Sequence, residues 1–321
     1  MCNFTSHLGK YLSEFLEYRC SQGYLKNTYI SVLRSIDKFY AERYPDEVNL
    51  TQSAVHEWLK INSSCNVSYM YRKASIIRLL GKYMADKNIK SYILPDKFVI
   101  DRRKNSVYVF SDEELSRLFH AIDNIQIKGN AFAKYQLPVM FRLIYTCGLR
   151  PQEGRNLQWH NVNIDTGEIL ITNTKRHKER IVVMSDEMLL LYKQYDVRRQ
   201  IAYPDSTYAF PKPSGEAYTN QCLRSYFIRC WKKANSDILQ KELPHVRIYD
   251  LRHRFASATL NRWLDEKRNL CVMLSYLQAY MGHDSLSSTA KYIHLLPENL
   301  VKVSGIEWET MRSLIPEVNA Q

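Results

Sequence analysis

Arg150 lies in the run Gly148-Leu149-Arg150-Pro151-Gln152-Glu153, and Arg252 in Asp250-Leu251-Arg252-His253. His283 follows in Met281-Gly282-His283-Asp284, and Tyr292 comes nine residues after it. A guanidinium is a planar fork that stays charged and matches two phosphate oxygens at once. Two such forks can hold a phosphodiester from different sides and stabilise the extra charge of a pentacoordinate transition state. A phenol with a pKa of about 10 is a poor nucleophile at neutral pH unless its proton is removed or its phenolate is stabilised. Nearby Arg, Lys and His could supply both. Attack of Tyr292 on a DNA phosphorus would form a phosphotyrosyl bond and release a 5′-hydroxyl. The bond energy is kept, so a second hydroxyl can reseal the strand without ATP. No cofactor, metal or nucleotide, is implied. Singly, each arginine reads as well as a surface salt bridge, and a lone tyrosine among 23 carries little. The ordered set is what points to this chemistry.

Local settings agree with it. Pro151 suits the first position of a helix and Asp250 suits an N-cap. Arg150 and Arg252 are then expected near helix N-termini, where free N–H groups favour anions. Glu153, three residues after Arg150, can orient its guanidinium and suits the positive end of the helix dipole. Lys175 falls on a polar hairpin tip, from where it could enter a DNA groove and protonate the leaving oxygen. It reads equally as a solvated loop lysine, with Arg176 and Lys178 beside it.

These groups need a scaffold, and the hydrophobic spacing supplies one. Residues 1–95 read as about four helices. The first runs around Tyr11 to Tyr18, and the second carries Ile30, Leu33, Ile36 and Phe39. The third is capped by Thr51 ahead of Val55, Trp58 and Leu59, and the fourth is capped by Asn66 ahead of Met70, Ala74, Ile77 and Leu80. Arg72 and Lys73, with Tyr71, Arg78 and Lys82, put phosphate-friendly groups on or near that last helix, or simply a solvated basic face. Residues 96–110 read as a linker, with Arg102 and Arg103 in a polar, basic stretch. A second domain, 111–321, opens on a capping box, Ser111 with Glu114. Its next helix covers roughly Ala131 to Cys147, with Pro138 as a kink or as the true start. Glu168 to Thr172 and Glu179 to Met184 read as two strands of a hairpin. Helical spacing resumes after about Glu187. The fold expected is mainly α with a small antiparallel β-sheet: an N-terminal helical bundle and an α+β second domain.

Composition bounds the partners. The 321 residues carry 45 basic and 33 acidic side chains, a formal net charge of +12, which favours a polyanion. Seven scattered cysteines form no CxxC pair, so no zinc or redox motif is indicated and a cytoplasmic setting with reduced thiols is expected. No signal-type N-terminus is read. No apolar run approaches the ~20 residues of a membrane span, so no membrane partner is expected.

The ordered set resembles the tyrosine recombinase (phage integrase) family. The run Tyr145 to Arg150, with Glu153, Leu157 and Trp159, is similar to the first arginine motif. Lys175 to Arg180 is similar to the hairpin with its catalytic lysine, and Asp250 to His253 with Phe255, Ala256 and Ser257 to the second arginine motif. Met281-Gly282-His283, then Thr289, Tyr292 and His294, is similar to the last motif with its nucleophile. The resemblance implies a site-specific DNA recombinase of integrase or transposase type acting through a 3′-phosphotyrosyl intermediate, as in a mobile element, with integration, excision, inversion and chromosome-dimer resolution all left open. Arg150, Lys175, Tyr249, Arg252, His283 and Tyr292 are then catalytic, with Glu153 and His253 in support and Arg72, Lys73, Arg102, Arg103 and Lys178 on DNA. It implies a core-binding N-terminal domain and self-association into dimers and tetramers on double-stranded DNA with paired half-sites. Accessory bending proteins or a partner recombinase fit the same picture. The tail from about Pro297 could form a helix that docks on a neighbouring protomer, or equally one that packs on its own domain. One departure stands out: the family's histidine three residues before the second arginine is Tyr249 here. A tyrosine donates a hydrogen bond but is no base near pH 7, and His245 lies near in sequence. The alternative is a DNA-binding accessory protein that no longer cuts. A strand-relaxing topoisomerase is a third reading.

Overall fold

The computed structural model describes residues 4–61, 67–96, 107–172 and 179–292. The chain divides into two compact units, Met1–Asn105 and Ser106–Gln321.

The first unit contains α1 (Gly9–Ser21), α2 (Lys26–Arg43), α3 (Gln52–Ile61) and α4 (Val67–Asp86). The apolar positions read from the sequence face inward: Leu33, Ile36, Val55, Trp58, Ile77 and Leu80 are all buried in one cluster. Asp37 ties the chain start to α2, accepting from the backbone N–H of Thr5 at 2.8 Å and of Ser6 at 3.0 Å. Thr51 sits at the start of α3, and its hydroxyl accepts from the Ala54 N–H at 3.4 Å.

The second unit opens with α5 (Asp112–Asp123), whose capping box is formed as expected by Ser111 and Glu114. Central to its core is α6 (Ala133–Thr146), apolar almost all round: Leu137, Val139, Met140, Phe141, Leu143 and Ile144 are buried. A helix apolar on every face belongs inside. Pro138 lies within α6 rather than at its start. The short α7 (Pro151–Arg155) follows Arg150, its N-cap residue, and a 3₁₀ turn spans Trp159–Asn161. Then β1 (Glu168–Ile171) pairs antiparallel with β2 (Arg180–Val183), with Leu170 opposite Ile181 and Ile171 opposite Arg180. Ile169, Ile171 and Val182 point into the core, as alternation requires. The remaining helices are α8 (Asp186–Ala202), α9 (Asn220–Ala234), α10 (Ile248–Asp265), α11 (Leu270–Met281) and α12 (Leu286–Ala290). Among the described residues the architecture is mainly α with one two-stranded antiparallel sheet. Among the described residues no helix is long and apolar enough to cross a membrane.

Candidate active site

The site is built on the C-terminal end of α11. A helix leaves its last carbonyls without intrahelical partners, and its dipole makes that end negative. Three successive carbonyls here each receive a different guanidinium. Arg180 donates from Nε to the Tyr280 oxygen at 2.8 Å, Arg252 from Nη2 to the Met281 oxygen at 2.6 Å, and Arg150 from Nη2 to the Gly282 oxygen. Gly282 closes the helix in the left-handed conformation (φ 62°), which delivers His283 to the same spot.

Glu153 is the shared counter-ion. Its carboxylate accepts from the backbone N–H and Nη1 of Arg150, at 2.8 and 2.7 Å, and from both terminal nitrogens of Arg180, at 2.9 and 2.7 Å. Arg252 Nη1 stands 3.9 Å away. Burial alone would raise its pKa, but the Arg180 and Arg150 bonds override that and hold the carboxyl down to about 2. The expected orienting role of Glu153 therefore extends to a second arginine that sequence reasoning missed. Arg180 opens β2, where nothing in its local spacing marks it; only its place beside the hairpin motif could have drawn attention.

Arg252 has no solvent exposure. Its Nη1 donates to the Gly148 carbonyl at 2.7 Å, and its Nη2 also meets His283 Nε2 at 3.0 Å. Gly148 adopts φ +60°, and a Cβ there would come within 2.5 Å of the Phe255 ring, so only glycine presents its carbonyl this way. Burial lowers the Arg252 pKa, yet a guanidinium remains protonated. Its Nε has no hydrogen-bond partner among the described residues. The sequence placed Asp250 at the N-cap of this helix. It is instead the third helical residue, fully buried, and accepts from the Arg247 N–H at 2.7 Å, so Arg252 sits a turn deeper than expected.

Because arginine only donates, His283 Nε2 must accept from Arg252. The ring proton then lies on Nδ1, 2.8 Å from the Thr289 hydroxyl. Burial first, and then Arg252, Arg150 and Arg180, push the pKa of His283 down to about 3, so it is neutral. The Tyr292 ring lies nearly parallel to His283, centroids 6.0 Å apart. On its other side the Tyr292 hydroxyl is 3.2 Å from His253 Nδ1. Burial raises the Tyr292 pKa to about 12, against the pull of Arg252 toward the phenolate. Tyr292 is buried, 4% exposed.

The two arginines expected to share a pocket with Tyr292 and His283 are thus brought together. Three guanidinium charges face the Glu153 carboxylate and two neutral imidazoles, while the Asp250 carboxylate behind His253 is paired with Arg247, and this balance favours an anion. Tyr249 is half-buried, its ring centroid 4.9 Å from that of His253. His245 is exposed. In the first unit Arg72 is exposed. Lys73 corrects the sequence reading: it is fully buried, donates to the Trp58 carbonyl at 3.0 Å and lies 3.8 Å above the Trp58 ring. An ammonium packed under an indole serves the core, not a phosphate. Lys175, Lys178, Arg102, Arg103, Asn66 and the tail from Pro297 lie outside the described residues.

Residues 109–299 match the model of the phage integrase family, which is 191 of the 321 residues. The chain belongs to the phage integrase family. Among its relatives, the tyrosine recombinase XerD of Rickettsia prowazekii is 24% identical over 318 residues, covering 91% of this chain and 95% of that protein. The XerD of Pseudomonas putida is 32% identical over 165 residues, half of each chain. The Tn1549 transposon integrase, solved in complex with transposon right end DNA, superposes with a TM-score of 0.65 at 16% identity. That match spans 92% of this chain and 97% of the other, a likeness of fold.

Proposed function

We infer that this phage integrase family member is a tyrosine-type site-specific DNA recombinase and that Tyr292 is its nucleophile. The observation that carries the assignment is the convergence of Arg150, Arg252, His253 and His283 around the buried Tyr292 hydroxyl. The Tyr292 oxygen attacks the scissile phosphorus, the bond from phosphorus to O5′ breaks, and a 3′-phosphotyrosyl link holds the cut end. Arg150 and Arg252 carry the charge that develops on the phosphoryl oxygens. A phosphate oxygen is the kind of acceptor the buried Nε of Arg252 lacks. Arg180 does not need to touch DNA; through Glu153 it fixes the plane of the Arg150 fork. Since Arg252 and Tyr292 are both covered, binding has to displace part of that cover before chemistry. Lys175 is the proposed general acid for O5′, and Tyr249 a supporting donor.

The same reading assigns double-stranded DNA as the partner, consistent with the +12 charge. The first unit is the proposed core-binding domain, with Arg72 on its exposed surface. Dimers on paired half-sites and tetramers across two sites are the proposed assembly. A nicked suicide duplex bearing inverted half-sites, drawn from the DNA flanking the coding region, tests the chemistry. Wild type traps an SDS-resistant protein–DNA adduct, and Tyr292→Phe traps none. An adduct that persists in Tyr292→Phe refutes the nucleophile. The non-cutting accessory reading rested on Tyr249 alone and is not favoured.

A further inference from the structure

Activation of Tyr292 requires a group that accepts its proton, and the family position for a histidine is occupied by Tyr249. Two imidazoles flank the Tyr292 ring. His283 has no lone pair to offer, because Nε2 accepts from Arg252 and Nδ1 carries the proton that faces Thr289. His253 is differently placed. Its Nδ1 lies 3.2 Å from the Tyr292 hydroxyl, and its Nε2 lies 3.8 Å from Asp250 Oδ1. Asp250 is itself fully buried and held by Arg247, which donates from its backbone N–H and from Nη2, both at 2.7 Å. A carboxylate on the Nε2 side favours the tautomer with its proton there, which leaves Nδ1 free to accept.

We propose that His253 is the general base of strand cleavage in this chain, taking the proton of Tyr292, with Asp250 as the residue that positions its ring. This rests on Tyr292 being the nucleophile. As the Tyr292 oxygen forms its bond to phosphorus, its proton passes to His253 Nδ1. The bond from phosphorus to O5′ breaks with its electron pair going to O5′, which takes a proton from the general acid assigned to Lys175. On rejoining, the incoming 5′-hydroxyl gives its proton back to that acid. His253 returns its own proton to the departing Tyr292 oxygen. The imidazolium that forms is matched by Asp250.

The charged and titratable groups around His253 are Asp250, Arg252 and Tyr249 on α10, Arg247 at its N-cap, Tyr292 beyond α12, and His283 before it. Burial, opposed by Asp250 and aided by Arg247 and Arg252, brings the His253 pKa down to about 4. The ring is therefore neutral and able to accept across the physiological range. Tyr292 holds its proton with a pKa near 12, so transfer accompanies attack on phosphorus rather than preceding it.

The test uses the full chain, single-turnover adduct formation, and two versions of the nicked duplex, one with the natural 5′-oxygen and one with sulfur at the bridging 5′ position. Sulfur leaves without a general acid, so it rescues a missing acid but not a missing base. His253→Gln is expected to bind the duplex as wild type does and to lose about 10²- to 10³-fold in cleavage rate on both substrates. Lys175→Ala recovers on the sulfur substrate. Adding Tyr249→His to His253→Gln, which puts an imidazole at the family position, restores part of the rate. His253→Gln cleaving within about threefold of wild type overturns the proposal, as does full rescue by sulfur. If His253→Gln fails to bind, His253→Ala with free imidazole decides: a rate that rises with imidazole supports the base, and one that does not overturns it. Tyr292→Phe runs alongside; an adduct there removes the nucleophile assignment instead, so the two failures are distinguishable.

Discussion

Replacing Glu153 with glutamine removes the one negative charge that serves Arg150 and Arg180 while keeping the shape of the side chain. The carboxyl is held at about 2 instead of 4.5 and its side chain is only 8% exposed. At about 1.4 kcal/mol for each pH unit of difference, that preference amounts to roughly 3 kcal/mol of stability at neutral pH. The same size follows from breaking a buried pair, about 3–5 kcal/mol. For a domain of this length each kcal/mol moves the midpoint by about 2–4 °C, so Glu153→Gln should unfold roughly 6–12 °C below wild type at pH 7. A depressed carboxyl contributes fully above its unfolded pKa and loses that contribution as pH falls through the folded value. The gap between wild type and Glu153→Gln should therefore hold above about pH 4.5 and close toward pH 2. Thermal unfolding of the C-terminal unit, followed at several pH values, reads both effects. A midpoint within about 2 °C of wild type at pH 7, or a gap that does not narrow in acid, would refute the shared counter-ion.

Gly148→Ala should cost about 2–4 kcal/mol in urea unfolding, since a positive φ and a Cβ 2.5 Å from Phe255 both oppose it; a neutral result would show that the turn can relax. Arg72→Ala should weaken duplex binding and lower the salt slope by about one, while Lys73→Met leaves the slope as it is; equal effects on the slope would contradict the burial of Lys73. His253 and His283 have folded pKa values near 4 and 3, below the usual 6.5, so the folded state stays neutral where the unfolded chain protonates. Stability should fall as pH drops below about 6.5, by up to ~1.4 kcal/mol per pH unit for each ring, less what solvent screens. Calorimetry in buffers of different ionisation enthalpy would detect the protons taken up on unfolding at pH 5, and an absence of uptake would count against neutral imidazoles.

Local signals were legible and distant partners were not. Ser111 and Glu114 announced their helix because both halves of a capping box lie within four residues. The strands at Glu168 and Arg180 are legible as two short apolar runs on either side of a polar tip, and the observed pairing begins within a residue or two of the expected limits. Arg150, Arg252, His283 and Tyr292 were found by type and order, and they do converge. Asp250 misled because an aspartate before an apolar run signals an N-cap just as well when it sits three residues inside, bonding back to Arg247. Lys73 misled because a helical face is assigned from its apolar neighbours, and nothing nearby shows that Trp58, 15 residues earlier, will cover the ammonium. Arg180 went unnoticed because its meaning lies 27 residues back, at Glu153, and 100 residues on, at Tyr280.

The end of α11 hands consecutive backbone oxygens, at Tyr280, Met281 and Gly282, to side chains from three separate places in the chain. Such an arrangement reads out helical phase to the single residue. Adding or deleting one amino acid within α11 would swing those oxygens by about 100° and offset each by 1.5 Å, misdirecting all three at once. Length changes in α11 should therefore be far less tolerated during evolution or engineering than substitutions on its outer face, such as at Val272 or Tyr276, which are more than half exposed.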